Sequence, residues 1–227
     1  MNTPSNPSPL YQYLREPVNS LTHFAGILLS IAGLILLLTL SGGDPWRVTS
    51  FAIYGVTLIT LYTASTLLHA LKVKPHIENG LRIFDHAAIF GLIAGTYTPI
   101  TLVTLQANHA AWGWAVFGVV WGFALLGIVF KIAWITAPRW LSVGLYLLMG
   151  WISVVAIVPI VQAMPFGGVV WLALGGLFYS VGAVIYGMKK PDFFPNVFGY
   201  HEVWHLFVLA GSICHFVMML KYVLPAP

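Results

Sequence analysis

The chain has 227 residues, of which 59% are hydrophobic and 7% are charged. Together with a mean hydropathy of +0.88, this excludes a water-soluble domain, in which about 25% of residues carry a charge. The single cysteine, Cys214, excludes an intramolecular disulfide and a metal site made of thiolates. Composition therefore predicts a membrane protein, and we expect no nucleic-acid partner.

The N-terminal residues 1–14 are polar and contain Pro4, Pro7 and Pro9. They lack the basic start of a cleavable signal peptide, and we expect them to form a disordered tail. The remainder, residues 15–227, is predicted to be a single transmembrane domain, because no polar break within it is long enough for a separate soluble domain.

Seven apolar runs follow the tail, each close to the roughly 20 residues that cross a bilayer core as a helix. They lie at about 20–40, 48–71, 83–105, 110–130, 140–161, 167–187 and 200–221. The polar breaks between them include the charged segment 72–82 and the segment 106–109. The pattern predicts an all-α membrane protein, a seven-transmembrane helix bundle.

Two pairs of glycines within the predicted spans are spaced four residues apart, Gly91 with Gly95 and Gly118 with Gly122. Small residues at this spacing allow two helices to approach closely in a membrane. The ordinary glycine content of membrane helices explains the same pattern equally well.

The basic residues in the loops predict the orientation of the bundle. If the N-terminus is cytoplasmic, Arg47 and Lys221 fall on the outer side. The other eight basic residues fall on the cytoplasmic side: Arg15, Lys72, Lys74, Arg82, Lys131, Arg139, Lys189 and Lys190. Because basic residues concentrate in cytoplasmic loops, we predict a cytoplasmic N-terminus and an outer C-terminus.

The last predicted span begins with the pentapeptide His201-Glu202-Val203-Trp204-His205. Positions i and i+4 share one face of a helix, so two imidazoles there can hold one metal ion. In soluble metalloproteases this H-E-x-x-H box supplies two zinc ligands and a glutamate general base. Ionisable residues within membrane spans are costly and usually functional. The pentapeptide therefore predicts a metal site, either of the protease kind or of another kind.

His69 and Asp85 lie at the same predicted depth as His201 and His205. His69 ends the second span just before the cytoplasmic segment, and Asp85 begins the third span just after it. Polar residues also collect near helix ends in general, but this combination favours zinc bound by three histidines and a water. In that case Asp85 either binds the ion or holds its water. His215 lies ten residues beyond His205, about 15 Å along a helix, and is predicted to be too far to join the site.

Ser65 lies one helical turn before His69 and shares its face. Its hydroxyl is placed either to reach the bound water or a substrate carbonyl, or to bond its own helix one turn back. We predict Asp85 and Ser65 as catalytic residues. His86 and His23 are weaker candidates, as outer hydrogen-bonding partners of the site or as packing residues.

Five short elements occur in order along nearly the whole chain, missing only the N-terminal tail. They are Arg15-Glu16-Pro17-Val18-Asn19-Ser20, Ser65-x-x-x-His69, Asp85-His86, Gly95-Thr96-Tyr97-Thr98-Pro99 and His201-x-x-x-His205. One element alone would be a weak signal, but five in this order are specific. In these elements the chain resembles the bacterial haemolysin III branch of the progestin and adipoQ receptor (PAQR) family.

The resemblance implies a seven-helix protein with a cytoplasmic N-terminus, located in a bacterial inner membrane. It implies zinc held by His69, His201 and His205. It also implies that Asp85 and Ser65 lie beside the metal, and it links the fold to alkaline-ceramidase-like membrane hydrolases. Receptor members of the family are credited with zinc-dependent lipid amide hydrolysis, and bacterial members with haemolysis and membrane homeostasis. The chain has no extended receptor-type N-terminal domain, so no hormone ligand is expected.

The resemblance does not require a glutamate at position 202. On a helix, Glu202 is turned about 100° away from His201, so it need not face the ion. It is either a protease-type general base, an outer partner of the metal site, or a residue paired with Lys189 or Lys190.

The leading hypothesis is a zinc-dependent membrane hydrolase that acts in membrane homeostasis. It would cleave an amide or ester bond of a membrane lipid, with the acyl chain held in a cavity of the bundle. A zinc-stabilised sensor or regulator, in which the ion only joins helices, is the first alternative. A haemolysin-type pore is the second, although the fourth to sixth predicted spans are almost entirely apolar. An intramembrane protease that uses Glu202 is the third.

Overall fold

The computed structural model describes residues 10–194 and 197–226, and this part of the chain is almost entirely helical. Its α-helices are α1 (Leu10–Tyr13), α2 (Pro17–Leu40), α3 (Pro45–Ala70), α4 (Pro75–Pro99), α5 (Gln106–Ala133), α6 (Arg139–Gly150), α7 (Ile157–Ala163), α8 (Phe166–Met188) and α9 (Tyr200–Met218). A π-helical turn over Ile100–Thr104 extends α4, and another over Met219–Val223 extends α9. Of the predicted disordered tail, residues 1–9 lie outside the described part, and α1 covers the next four.

Six helices of the described chain are long and apolar enough to cross a membrane: α2, α3, α4 with its extension, α5, α8 and α9. A seventh span results if α6 and α7, which meet at a bend of 54°, are counted as one broken span. The prediction of an all-helical integral membrane protein is therefore confirmed, with six or seven spans.

The bend in the fifth predicted span has a local cause. A 3₁₀ turn over Trp151–Val154 follows α6, and α7 begins three residues later at Ile157. Pro159 lies in the first turn of α7. Because proline has no backbone N–H, and because its ring crowds the preceding turn, an unbroken α-helix cannot run through this point.

Two predicted breaks are largely helical instead. The charged segment 72–82 is mostly the start of α4, which begins with Pro75 at a position where a missing N–H costs nothing. One turn later, Glu78 and Arg82 form an ion pair of 2.9 Å on the helix surface. The predicted break 106–109 is the first turn of α5, with non-helical geometry only at His109. Polar residues interrupt the apolar pattern in both segments, but these residues lie in the first turns of helices, and in the first segment Glu78 and Arg82 pair on the helix surface.

Of the four paired glycines, Gly95 lies at a helix contact. A methyl group at Gly95 would overlap the side chain of Thr57 on α3. The same addition at Gly91, Gly118 or Gly122 would meet open space. Close packing therefore explains Gly95, whereas the other three fit the ordinary glycine content of membrane helices.

The segment before α2 is tied to the end of α3. The backbone N–H of Arg15 donates to the carbonyl of Ala70 at 3.2 Å, and the N–H of Glu16 donates to the carbonyl of His69 at 2.9 Å. Glu16 is thus held next to the last turn of α3. This fold-back of the chain positions a carboxylate beside the site described below.

Candidate metal centre

Three histidine side chains converge at one end of the bundle. His69 lies in the last turn of α3, and His201 and His205 lie in the first two turns of α9. The three ring centroids are each 4.9 Å from the other two. One nitrogen of each ring lies within 4.8 Å of the others, which makes this trio the group of described residues that could hold a metal ion.

The chemistry of the trio suits a metal ion. Neutral imidazoles are common ligands of zinc and of other transition metals. Nδ1 of His205 is buried and has no hydrogen-bond partner among the described residues. An unpaired buried polar atom is costly, and an ion at the centre of the trio is one way in which such an atom is satisfied.

Glu16 fixes the orientation of one of these rings. Its carboxylate lies 2.7 Å from Nδ1 of His69, so Nδ1–H donates and Nε2 keeps its lone pair. Burial by itself raises the pKa of Glu16, but the hydrogen bond from His69, the electrostatic attraction to that imidazole and the hydrogen bond from the amide of Asn19 outweigh it and hold the pKa at about 2. The carboxylate is therefore ionised at neutral pH. Carboxylates that accept from metal-binding histidines in this way set the tautomer and the ring direction.

Asn19 links this carboxylate to Glu202. Its amide donates to Glu16 at 3.0 Å and to Glu202 at 2.8 Å. The other carboxylate oxygen of Glu202 accepts from the backbone N–H of Gly199 at 2.8 Å, just before α9. Within the described residues Glu202 forms no ion pair with a lysine. Its contacts are therefore those of a residue that caps a helix and supports Glu16.

Asp85 and Ser65 line the same cavity as the three histidines. The two side chains interact with each other. Asp85 lies on α4, three residues beyond Arg82, and Ser65 lies on α3. The Asp85 carboxylate is not among the converging ligand atoms. Of the two roles considered for Asp85, this position favours holding a water over binding an ion directly.

The remaining histidines have different surroundings. The ring of His23 stacks on that of His205, with centroids 3.7 Å apart and planes 13° apart. His86 contacts the carbonyl of Arg82 through Nδ1 at 2.8 Å, and the same nitrogen is 3.7 Å from Asp85. His215 lies further along α9, where its Nε2 is 3.3 Å from the carbonyl of Leu172. It lines the cavity but does not belong to the trio.

The trio opens onto a cavity of about 1030 Å³ between the helices. Its walls are largely apolar, with Leu61, Leu92 and Val208 among the lining residues. Ligand pockets in proteins usually combine such walls with a few polar groups that orient the ligand. The cavity is thus large enough and apolar enough for an acyl chain whose polar end meets the histidines.

Glu16 and Asn19 were not among the residues predicted from the sequence to belong to the site. Both occur in the element Arg15-Glu16-Pro17-Val18-Asn19-Ser20. The element could have indicated a role for them, because a glutamate and an asparagine at the start of a membrane span usually have polar partners. The identity of the partner, His69, follows only from the packing of this segment on the end of α3.

Comparison with known proteins shows similarity along almost the whole chain. A family model described as haemolysin-III related matches residues 11–216. The hemolysin-3 homolog of Bacillus subtilis is 40% identical over 220 residues, which are 96% of this chain and 99% of that protein. The hemolysin-3 of Bacillus cereus is 40% identical over 217 residues, 94% of each chain. The human monocyte to macrophage differentiation factor is 28% identical over 218 residues, 92% of this chain and 84% of that protein.

Proposed function

This chain belongs to the haemolysin III-related family, and we propose that it is a zinc-dependent hydrolase that cleaves an amide or ester bond of a membrane lipid. The observation that carries the proposal is the convergence of three imidazoles at the wall of a large, apolar cavity. His69, His201 and His205 would hold the ion, and three histidine ligands are typical of catalytic zinc. Zinc, when bound, polarises a carbonyl and lowers the pKa of its water.

The chain's own residues supply the remaining functions. Glu16 keeps the His69 ring in one tautomer, with Nε2 directed away from the carboxylate. Asp85 accepts a proton at its carboxylate from the attacking water and transfers it to the leaving group. Ser65, beside Asp85, donates its hydroxyl to that carboxylate or to the substrate carbonyl. The apolar walls hold the acyl chain and keep bulk water away from the bond that is cleaved.

The chain is an integral membrane protein, and its bacterial relatives support the cytoplasmic membrane as its location. The orientation proposed here has a cytoplasmic N-terminus and an outer C-terminus. It rests on the eight basic residues that this topology assigns to the cytoplasmic loops. The histidine trio then lies near the cytoplasmic face, and we assign the enzyme a role in the homeostasis of that membrane.

The substitution Asp85→Asn tests the proposal. The variant should retain bound zinc and its thermal unfolding temperature, because Asp85 lies outside the trio. Its hydrolytic rate should fall by about 10²–10⁴-fold, the usual contribution of a general acid–base group. Asp44→Asn is the matched control, since Asp44 lies at the opposite end of α3 from His69, does not line the cavity, and is replaced by an equally good N-cap residue. A protein that binds stoichiometric zinc yet cleaves no lipid amide or ester in a broad screen would exclude the enzyme.

A zinc-stabilised sensor is the second candidate, and the origin of the ligands favours it. His69 comes from α3, whereas His201 and His205 come from α9. An ion there would join the second and last spans, which are far apart in sequence. If Asp85→Asn left the cellular function intact while His205→Ala removed it, the ion would be structural.

A further inference from the structure

Lys131 is a buried cation that has no carboxylate partner among the residues that the structure describes. It lies in the last turns of α5, and only 1% of its surface is exposed. Its amine donates to the hydroxyl of Ser142 on α6. None of the ion pairs among the described residues includes it. A buried, unpaired charge is costly, and such a residue in a membrane helix is usually functional.

Arg139, eight residues further along, is a second, partly buried cation that has no acidic partner among the described residues. It is the first residue of α6. Its guanidinium lies 4.6 Å from the ring centre of Tyr186 and 5.7 Å from that of Tyr200, and it donates to the carbonyl of Tyr186 at 3.2 Å. The aromatic rings hold the group in place without neutralising it.

The other arginines near this end of the bundle are neutralised. Arg15 pairs with Glu16 at 3.1 Å and with Glu78 at 3.0 Å, and Arg82 pairs with Glu78 at 2.9 Å. Lys189 also lines the cavity and forms no ion pair, but it is exposed to solvent. Within the described part of the chain, the lack of a counter-ion combined with burial therefore distinguishes Lys131 and Arg139 from the other cations of the cavity.

Both unpaired cations line the cavity that contains the histidine trio. Tyr186, on which Arg139 stacks, has its ring centre 5.5 Å from that of His201. One aromatic ring thus separates the guanidinium from a proposed metal ligand. Arg139 also begins α6, so the positive end of a helix dipole adds to the potential at this point.

We propose that Lys131 and Arg139 form an anion subsite that binds the phosphate of a lipid whose acyl carbonyl meets the histidine trio. A lysine supplies a point charge and an arginine a planar fork, and the two together suit a phosphate. In a glycerophospholipid the ester carbonyls are only a few bonds from the phosphate. This short distance agrees with the position of Arg139, which only the ring of Tyr186 separates from His201. The assignment of the carbonyl to the trio rests on the proposed function, whereas the anion subsite itself does not.

Binding of matched lipids to the purified full-length protein tests the subsite. The probes are didecanoyl phosphatidic acid, didecanoylglycerol and inorganic phosphate, each titrated in detergent and followed by tryptophan fluorescence. We expect the phosphatidic acid to bind about tenfold tighter or more than the diacylglycerol, the scale of one charge-assisted contact. Lys131→Met and Arg139→Gln should each remove most of this preference. Lys221→Gln, which removes a charge from an exposed position outside the lining of the cavity, should leave the preference unchanged.

Thermal unfolding and zinc content of each variant establish that fold and trio are intact. If Lys131→Met does not fold, Arg139→Gln alone decides, because Arg139 is only half-buried. Equal affinity for the two lipids, a preference retained in both variants, or inorganic phosphate binding as tightly as the lipid would each overturn the proposal. Hydrolysis is measured separately. If the wild-type protein prefers phosphatidic acid but hydrolyses no lipid, the proposed hydrolase is excluded and the anion subsite is supported. If it hydrolyses lipid without this preference, the hydrolase is supported and the anion subsite is excluded.

Discussion

The carboxylate of Glu16 lies 2.7 Å from Nδ1 of His69, although 53 positions separate the two residues. His69 is the ligand that α3 contributes to the trio, and Glu16 belongs to the segment before α2. A backbone hydrogen bond from the Glu16 N–H to the His69 carbonyl is a second contact between the two residues. The N-terminal segment is therefore part of the candidate metal site.

Removing this carboxylate should weaken metal binding. We expect Glu16→Ala to lower zinc affinity by about 10–100-fold, the usual effect of losing the outer partner of a histidine ligand. Glu16→Gln should have a smaller effect, because its amide oxygen still accepts the hydrogen bond but carries no charge. Competition with a chelator measures the affinity. Glu78→Ala is the control, since Glu78 contacts arginines and no histidine; an equal loss in that variant would contradict the assignment.

Glu202 should contribute to stability rather than to chemistry. Glu202→Ala removes the acceptor for the Gly199 N–H and for Asn19. The free energy of unfolding should fall by about 1 kcal/mol, as for a lost helix cap. Glu202→Gln keeps one of the two acceptor oxygens, so it should lose less stability than Glu202→Ala and should retain any hydrolytic activity. An inactive but fully folded Glu202→Gln protein would instead support the protease-type general base.

Two buried histidines of α9 should differ in their effect on the metal. His205→Ala removes a member of the trio, and we expect its loss of zinc affinity to exceed the 10–100-fold of an outer partner. His215→Ala, on the same helix and also buried, should retain zinc because His215 does not belong to the trio. Metal analysis of the two purified variants checks the difference. If zinc content were unchanged in His205→Ala, the site would be wrongly assigned.

Two glycines one turn apart on α4 should differ in their tolerance of a methyl group. Gly95→Ala would press against Thr57 of α3, and overpacking of this kind typically costs about 1–3 kcal/mol. Gly91→Ala meets open space and should be neutral or slightly stabilising, since alanine favours helix more than glycine does. Thermal unfolding in the same detergent compares them. Equal unfolding temperatures would mean that α3 and α4 do not pack at Gly95.

Much of the fold follows from the sequence because a bilayer imposes a length. Apolar runs of about 20 residues mark the spans, and the described helices coincide with them apart from their ends and the bend near Pro159. The spans alternate in direction, so residues at the end of one span and the start of the next share a depth. This is why His69, Asp85 and His205 could be grouped before their positions were seen.

Depth does not specify which side chains touch. The contact of Glu16 with His69 depends on the N-terminal segment folding back over the end of α3, and hydrophobic periodicity contains no information on that. The capping contact of Glu202 depends on the chain direction just before α9. The missing counter-ion of Lys131 depends on how α6 packs against α5. These features arise from lateral packing and hydrogen bonding between distant segments, which only the tertiary structure decides.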